Sequence, residues 1–499
     1  MRTKSIFLKC FIILLLFGAR AAAESLTIRG IVHDPQHRPI PGASVTLSTA
    51  KSVVALKTQT NSQGEFELAR VPIGNYSISV AASGFAALKQ PLQVDSKDLG
   101  ILHLQMAIAS VAQRVEVSGA AARLNTQSAT TRTSISQQQI AQTPGGDLTN
   151  SLAMITDFVP GAYMVHDMLH VRGGHQENWF FDGIPVINTN IASNAGPMIN
   201  PKDVESLEVQ TGGYSSEYGD RTYGFFNVIT PSGFDKSNQG ELMASYGSFN
   251  QTDNLLSFGG HSERFAYYGS LDGNRSDLGL STPTPFLIHA QENGLGGFAS
   301  ILFNPSAENQ LRFVASLRGD HYQIPNTPDQ QATGIRDLDV ERDDMFGFTW
   351  AHSSPGGMIL TVSPFFHFNR ADYIGGPNDT PSILNNNRRS SYMGALASLA
   401  LDKEKHNGRL GAQVWGQHDN TFFGLRANPG SQTLVQSFLP WANSEAVFGE
   451  DQYKATSWLT FNGGIRVTHY GGLISENAAD PRLGAALRIP RLGWILRGY

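Results

Sequence analysis

The chain has 499 residues, with 37 Lys and Arg against 42 Asp and Glu and a formal net charge of −5 at pH 7. A net negative chain lacks the basic footprint of a nucleic-acid binder, and a single cysteine, Cys10, excludes an internal disulfide framework. Charged residues make up 16 %, below the roughly 25 % of soluble domains, yet beyond its start the chain holds no apolar run of the ~18 residues a membrane helix needs, so the low charge points to membrane strands.

Arg2, Lys4 and Lys9 precede an apolar run from Cys10 to Ala19, and Ala21, Ala22 and Ala23 follow. This is the layout of a secretory signal peptide over residues 1–23, with Glu24 as first mature residue. Its removal takes Cys10 with it and leaves 33 basic against 42 acidic residues. Thiol catalysis and cysteine metal sites are thereby excluded.

Residues 24–110 read as short strands between Pro, Gly and Asn turns, with alternation at Tyr76-Ser77-Ile78-Ser79-Val80. Asp34-Pro35 with Pro39-Ile40-Pro41-Gly42 closes one hairpin, and Asn61-Ser62-Gln63-Gly64 closes another. The segment resembles the carboxypeptidase-regulatory-like domain, a transthyretin-like β-sandwich. That resemblance implies possible carbohydrate binding, but no exposed aromatic platform is visible, so packing or spacing is the expected role.

Residues 111–142 contain a short alternating stretch, Arg114-Val115-Glu116-Val117-Ser118, and a Ser, Thr and Gln rich linker. Residues 143–235 are mixed α and β. Asp147 can cap a helix carrying Leu148, Leu152 and Ile155, ended by Pro160-Gly161. A strand ends at Val171-Arg172-Gly173-Gly174, and Asn178-Trp179-Phe180-Phe181 runs into the tight turn Asp182-Gly183-Ile184-Pro185. Asn200-Pro201-Lys202-Asp203 then opens a helix-to-strand unit through Glu208, closed by Gly212-Gly213-Tyr214 and Tyr218-Gly219.

In this order the landmarks resemble the plug domain of TonB-dependent outer-membrane transporters of the Oar-like type, with Phe225-Phe226 standing where that family has small residues. The resemblance implies a structural motif of Arg172, Gly173, Asp182, Gly183, Pro185, Glu208, Gly212, Tyr218 and Gly219. Arg172 is expected in a buried ion pair in the barrel lumen, and the glycines in special backbone geometry. It also implies that Arg114, Val115, Glu116, Val117 and Ser118 form the TonB box, which adds as a strand to the C-terminal domain of TonB in the periplasm.

From 236 to 499 the period becomes two, about ten residues at a time: Leu311, Phe313, Ala315 and Leu317 alternate with Arg312, Ser316 and Arg318. That is the length of a tilted membrane strand. Long polar stretches (Asn274 to Gly294, Gly319 to Glu341, Arg370 to Ser390, Asp419 to Trp441) alternate with short turns, the pattern of an antiparallel outer-membrane barrel. About thirteen strands are expected, against 22 in barrels of this type, so the barrel is read as incomplete.

The fold class is therefore mainly β: a sandwich, a small α+β plug and part of a transmembrane β-barrel. Catalysis is not expected. No phosphate loop, nucleophile elbow or cysteine-histidine pair is present; His166, His170 and His175 flank a strand that separates them, and His289 with Glu292 falls in an outer loop. No cofactor or metal is expected. The reading is an outer-membrane transporter with its sandwich in the periplasm, whose partners are TonB, outer-membrane lipid and an extracellular saccharide, peptide or metal chelate. The alternative is a surface binding or signalling protein without transport.

Overall fold

The computed structural model describes residues 25–499 apart from the segments 35–38, 49–55, 95–100, 107–129, 142–158, 188–198, 234–237 and 428–432 and some shorter turn positions. The signal-peptide reading, the helix expected after Asp147 and Arg114 to Ser118 lie outside the described residues. No described helix is long and apolar enough to cross a membrane, which says nothing of crossing with strands.

The first unit has seven strands: β1 (Ser25–His33), β2 (Ser44–Ser48), β3 (Leu56–Gln59), β4 (Glu65–Pro72), β5 (Gly74–Ala81), β6 (Leu88–Val94) and β7 (Ile101–Gln105). They form two sheets, β4-β1-β7 and β3-β2-β5-β6. Alternation sends Ile28, Val32, Val45, Leu47, Leu68, Ile78, Val80 and Leu104 into one core between them. The side chain of Asn61 accepts from the amides of Gln63 and Glu65, both at 2.9 Å, which shapes the turn into β4.

The second unit contains β8 (Thr131–Ser136), a short helix α1 (Gln137–Ala141), the hairpin β9 (Ala162–Val165) and β10 (Met168–Val171), then β11 (Glu177–Phe181), β12 (Ile184–Val186), β13 (Ser206–Gly212) and β14 (Gly224–Ile229). Its main sheet has the order β12-β11-β14-β13-β8, with β11 and β14 parallel. Phe226, at the position where small residues were expected, stacks on Trp179 at 4.6 Å in the plug core. Phe225 faces the other way and lies against Phe180 and Tyr218, with ring centroids at 4.2 and 3.5 Å. The two bulky rings thus fill both faces of β14.

The remaining strands are β15 (Gln239–Tyr246), β16 (Thr252–His261), β17 (Phe265–Ser276), β18 (Glu292–Ser306), β19 (Asn309–Gln323), β20 (Leu338–Ser353), β21 (Met358–Ile374), β22 (Ser382–Lys403), β23 (His406–Ala427), β24 (Thr433–Phe438), β25 (Trp441–Lys454), β26 (Leu459–Gly471), β27 (Glu476–Ile489) and β28 (Trp494–Gly498), with the helix α2 (Pro328–Thr333) between β19 and β20. They make one antiparallel sheet in sequence order, thirteen strands on its main path with β24 set aside on β23. Among the described residues β15 and β28 are not paired with each other, so the sheet is an incomplete barrel. Along β16, Asp253, Leu255 and Ser257 are buried while Leu256 and Phe258 are exposed, which places an apolar row outward and the polar and plug-contacting residues inward.

Connections at one end are short (262–264, 307–308, 354–357, 404–405, 455–458 and 490–493); at the other, 277–291, 324–337 and 375–381 are longer, whereas 472–475 is as short. The long stretches are less irregular than their composition suggested: within Arg370 to Ser390 only 375–381 leave the ladder, and Asp419 to Trp441 contains the end of β23 and all of β24. Ladder hydrogen bonds satisfy the backbone whatever the side chains, so polar strands continue as hairpins beyond the apolar band.

Candidate functional site: the plug and its seat in the lumen

The turn between β11 and β12 places Asp182 and Gly183 both at positive φ, 49° and 82°, as a two-residue hairpin turn of type I′ requires. Asp182 Oδ1 accepts from the Thr230 amide at 3.0 Å and Oδ2 from its hydroxyl at 2.7 Å. Arg312, on an inward position of β19, completes the site: its Nη2 lies 3.0 Å from Asp182 Oδ2 and donates to Thr230 Oγ1 at 2.7 Å. Both charged side chains are almost fully buried, at 6 and 7 % exposure. Burial raises the pKa of the Asp182 carboxyl, opposed first by Arg312 and then by the Thr230 hydrogen bonds. The neighbouring Gly183 amide donates to Asn227 Oδ1 at 2.9 Å, and Pro185 sits in β12, an edge strand that tolerates its missing N–H.

A second anchor follows Asn200, whose side chain caps a short 3-10 turn over Pro201–Asp203. Lys202 Nζ pairs with Asp253 of β16. Asp203 accepts from the Tyr268 hydroxyl at 2.9 Å and Ser270 at 2.7 Å, both on β17. Its carboxyl is pushed up to about 6, by burial first, against the pull of those two hydroxyls.

The third anchor is the loop 213–219, held by backbone atoms as much as by side chains. Glu450 of β25 accepts from Ser215 Oγ at 2.6 Å and from the Ser216 amide at 2.7 Å. Arg409 of β23 pairs with Glu217, and Arg482 of β27 donates to the carbonyls of Ser215 and Tyr218. Arg466 of β26 donates to the Glu217 carbonyl at 2.8 Å and to Gln413 at 2.9 Å. A β-carbon on Gly219 would overlap the Arg466 guanidinium, so only glycine lets the loop approach so closely. A cavity of about 460 Å³ opens beside this loop, lined among others by Tyr214, Ser216, Arg409, Glu450 and Arg482.

Arg172 departs from its expected place. It lies at φ 51° beside Gly173 at φ 88° in the tight turn after β10, is exposed, and donates to the Tyr499 hydroxyl rather than to a carboxylate. The buried ion pair is formed instead by Asp182 and Arg312. Gly212, at the end of β13, packs against Arg172 and Tyr499, and Glu208 pairs within the plug sheet opposite Asn227. His170 stacks on Tyr163 at 5.3 Å; His166 and His175 lie outside the described residues. His289 Nδ1 bonds to the Ile324 carbonyl at 2.9 Å.

The anchoring residues that the motif reading missed are Asp203, Asp253, Arg312, Arg409, Glu450, Arg466 and Arg482. Those of the barrel share one signal: a charge at an inward position of an alternating strand, as with Arg312 between Leu311 and Phe313. The sandwich adds contacts of its own. Ile31 packs on Ala266 and Leu302 at the short-turn end of the barrel, Glu65 Oε1 lies 2.6 Å from His261 Nε2, and His103 lies 3.6 Å from Glu205 beside the second anchor.

Sandwich, lumenal plug and lipid-facing antiparallel sheet define an outer-membrane barrel protein of the plugged-receptor class. Comparison with known proteins makes this more specific. Residues 27–107 match the carboxypeptidase regulatory-like domain and residues 125–224 the TonB-dependent receptor plug domain. The chain is 24 % identical over 352 residues to the TonB-dependent transporter Oar of Myxococcus xanthus, covering 68 % of this chain and 31 % of Oar. The fold is similar to that of the ferripyoverdine receptor of the outer membrane of Pseudomonas aeruginosa, with a TM-score of 0.58 at 13 % identity over 81 % of this chain and 64 % of the receptor. It is also similar to FpvAI in its complex with pyocin S2, with a TM-score of 0.60 at 14 % identity over 78 % of this chain and 61 % of that one. The chain thus spans about a third of the length of Oar and under two thirds of these receptors. The matched domains, the likeness to Oar and the shared fold support an outer-membrane TonB-dependent receptor, a class of transport proteins and not of enzymes.

Proposed function

We propose that the protein imports an extracellular ligand into the periplasm, with work delivered by TonB through Arg114-Val115-Glu116-Val117-Ser118. The observation that carries this reading is the polar seat of the plug: anchors reach it from eight barrel strands (β16, β17, β19, β21, β23, β25, β26 and β27), beside an apolar contact in which Ile184 and Val186 share one buried cluster with Tyr268, Phe298, Val314, Met345 and Phe365. Such anchors hold a closed state yet can be exchanged for water one by one, which suits a plug that is displaced and restored. The outer membrane carries neither nucleotide nor ion gradient, so displacement must be driven by contact, and strand addition to an extended segment supplies main-chain affinity for that contact.

In this proposal residues 24–110 are a periplasmic sandwich, 111–142 the coupling segment, 143–235 the plug and 236–499 barrel. Arg172, Gly173, Asp182, Gly183, Pro185, Glu208, Gly212, Tyr218 and Gly219 shape and seat the plug. The ligand is a saccharide, peptide or metal chelate, met first by the long-loop end. Deleting residues 114–118 tests the coupling: the expected result is lost uptake with surface binding retained. Undiminished uptake would remove the coupling role of that segment, and ligand binding by the intact protein with no uptake at all would favour a receptor without transport.

A further inference from the structure

On β21 the outward row runs Leu360, Val362, Pro364, Phe366 and Phe368, and the next outward residue is Arg370. The two neighbouring strands end their apolar rows the same way. On β20 Phe348 and Phe346 give way through Asp344 to Arg342, and on β22 Leu399 and Met393 give way through Ser391 to Arg389. Register brings the three endings to one height, because Arg370 stands directly opposite Arg342 on one side and Arg389 on the other. Arg370 lies about ten residues beyond Leu360, which at about 3.3 Å each is ~33 Å of strand. With a tilt of about 40° that rises about 25 Å, the height of the apolar band of a barrel wall. β21 leads away from a short turn, so the arginine row lies at the long-loop rim of that band, where acyl chains end and headgroups begin.

Three like charges set opposite one another across a ladder repel. Two carboxylates moderate this: Arg342 Nε donates to Asp344 Oδ2 at 2.7 Å, and Asp372 Oδ2 takes both Arg370 and, at 3.2 Å, Arg389 Nη2. Both acids are nearly buried, whereas the side chains of Arg342, Arg370 and Arg389 keep 56, 34 and 43 % of their surface exposed. Three arginines against two aspartates leave one positive charge, and the residues in register on either side, Gly319 and Asn420, bring no acid. Each guanidinium offers five N–H groups in a planar fork, and the two carboxylate oxygens engage only a part of them. Arg342 also lies over the Phe368 ring, 6.0 Å from its centre, which ties the charged row to the apolar wall below it.

We infer that Arg342, Arg370 and Arg389 form a binding site for the phosphate group of an anionic lipid in the outer leaflet. Side chains facing one another on adjacent strands stand about 5 Å apart, so a phosphate seated between two of these arginines meets a fork from each side, the geometry of strong charge-assisted hydrogen bonding. What singles out a lipid among phosphate sources is the height of the row. Below it lie Phe346, Phe366, Phe368 and Met393 on the outer wall, a surface that receives acyl chains while the headgroup meets the arginines. A bound phosphate would offset the repulsion within the row and fix the depth at which this part of the barrel sits in the leaflet. The inference rests on the outer-membrane placement and not on import, so a receptor that binds without transporting would keep the site.

The test titrates the protein, purified from outer membranes in detergent and stripped of bound lipid, with three probes: bisphosphorylated lipid A, the same glycolipid without its phosphates, and inorganic phosphate. Occupancy is read by native mass spectrometry. The wild type is expected to bind the bisphosphorylated lipid about a hundredfold more tightly than the dephosphorylated one, and Arg342→Gln and Arg389→Gln to lose about tenfold each. Arg370 is kept in both variants so that Asp372 stays paired. Arg275→Gln, which changes an exposed arginine at the outer end of β17, serves as control and is expected to shift affinity less than about twofold. Heat-dependent gel mobility reports folding; if a Gln variant fails to fold, Arg342→Lys and Arg389→Lys keep the charge without the fork and are expected to lose about threefold. Equal affinity of the wild type and the variants would overturn the inference, as would equal affinity for the two glycolipids. Displacement of the bound lipid by an equal concentration of inorganic phosphate would overturn it too, by marking a site for a free anion.

Discussion

Replacing Asp182 with Asn removes one charge from the turn between β11 and β12 and almost no volume. Asn can still accept from the Thr230 amide, so the turn keeps its exit hydrogen bond. What is lost is the partner of Arg312, whose side chain is 7 % exposed and retains only the hydroxyl and carbonyl of Thr230. Removing one member of a buried pair costs about 3 to 5 kcal/mol, most of it the penalty of the charge left behind. At about 1.4 kcal/mol per tenfold, the released plug becomes about 140 to 3,700 times more populated. Hydrogen exchange of the plug strands, read against β20 and β21 as internal reference, measures that ratio. The double variant Asp182→Leu with Arg312→Met leaves no buried charge and is expected to recover most of the loss seen in Asp182→Leu alone. Coupling between the two sites below about 0.5 kcal/mol in this cycle would refute the reasoning.

Three further outcomes are expected. Gly219→Ala forces Arg466 away from the Glu217 carbonyl and Gln413, and should lower stability by about 1 to 3 kcal/mol; a thermal melt followed by gel shift would show it, with Gly42→Ala, whose β-carbon has open space but whose φ is 70°, separating strain from overlap. Because the folded pKa of Asp203, about 6, lies above its ordinary 3.8, seating is favoured fully below about pH 4 and loses roughly 3 kcal/mol as pH rises through 6; Asp203→Asn should flatten that part of the profile in urea titrations at several pH values. Leu256→Arg puts a cation on the outward row of β16, where it pairs with Leu271, and should cost about 2 to 4 kcal/mol of folding in lipid, whereas Ser257→Arg on the same strand would act through the plug instead.

The architecture was legible because two periods carry it. Alternation over the eight residues from Leu311 to Arg318 specifies both a strand and its outward face, and the structure puts Phe313 and Leu317 outward and Arg312 and Ser316 inward. The Asp182-Gly183 turn was equally readable, since two consecutive positive φ values demand that kind of dipeptide. The seat was not. Asp182 and Arg312 are separated by 130 positions, and nothing local to either says that the pair forms, so Arg172, the arginine nearest the plug motifs, was given the role. The outer hairpins were misjudged for a different reason: polarity separates lipid from water but not strand from loop, and Asn385-Asn386-Asn387 continue β22 in full register with Phe422, Phe423 and Gly424.

Those hairpins set a length scale. β22 and β23 each run 22 residues, which at about 3.3 Å per residue is a ribbon of about 70 Å. Tilted by about 45°, it rises about 50 Å, twice the ~25 Å apolar band of a barrel wall. One continuous pair of strands therefore lives under two solvents. Its inner half answers to hydrocarbon, where a single charge is costly; its outer half answers only to its own ladder, and can trade Asn for Arg or Thr without disturbing insertion. The same ribbon is thus conservative below the headgroups and free to diverge above them, and it carries whatever it meets some 25 Å clear of the lipid surface before the lumen is reached.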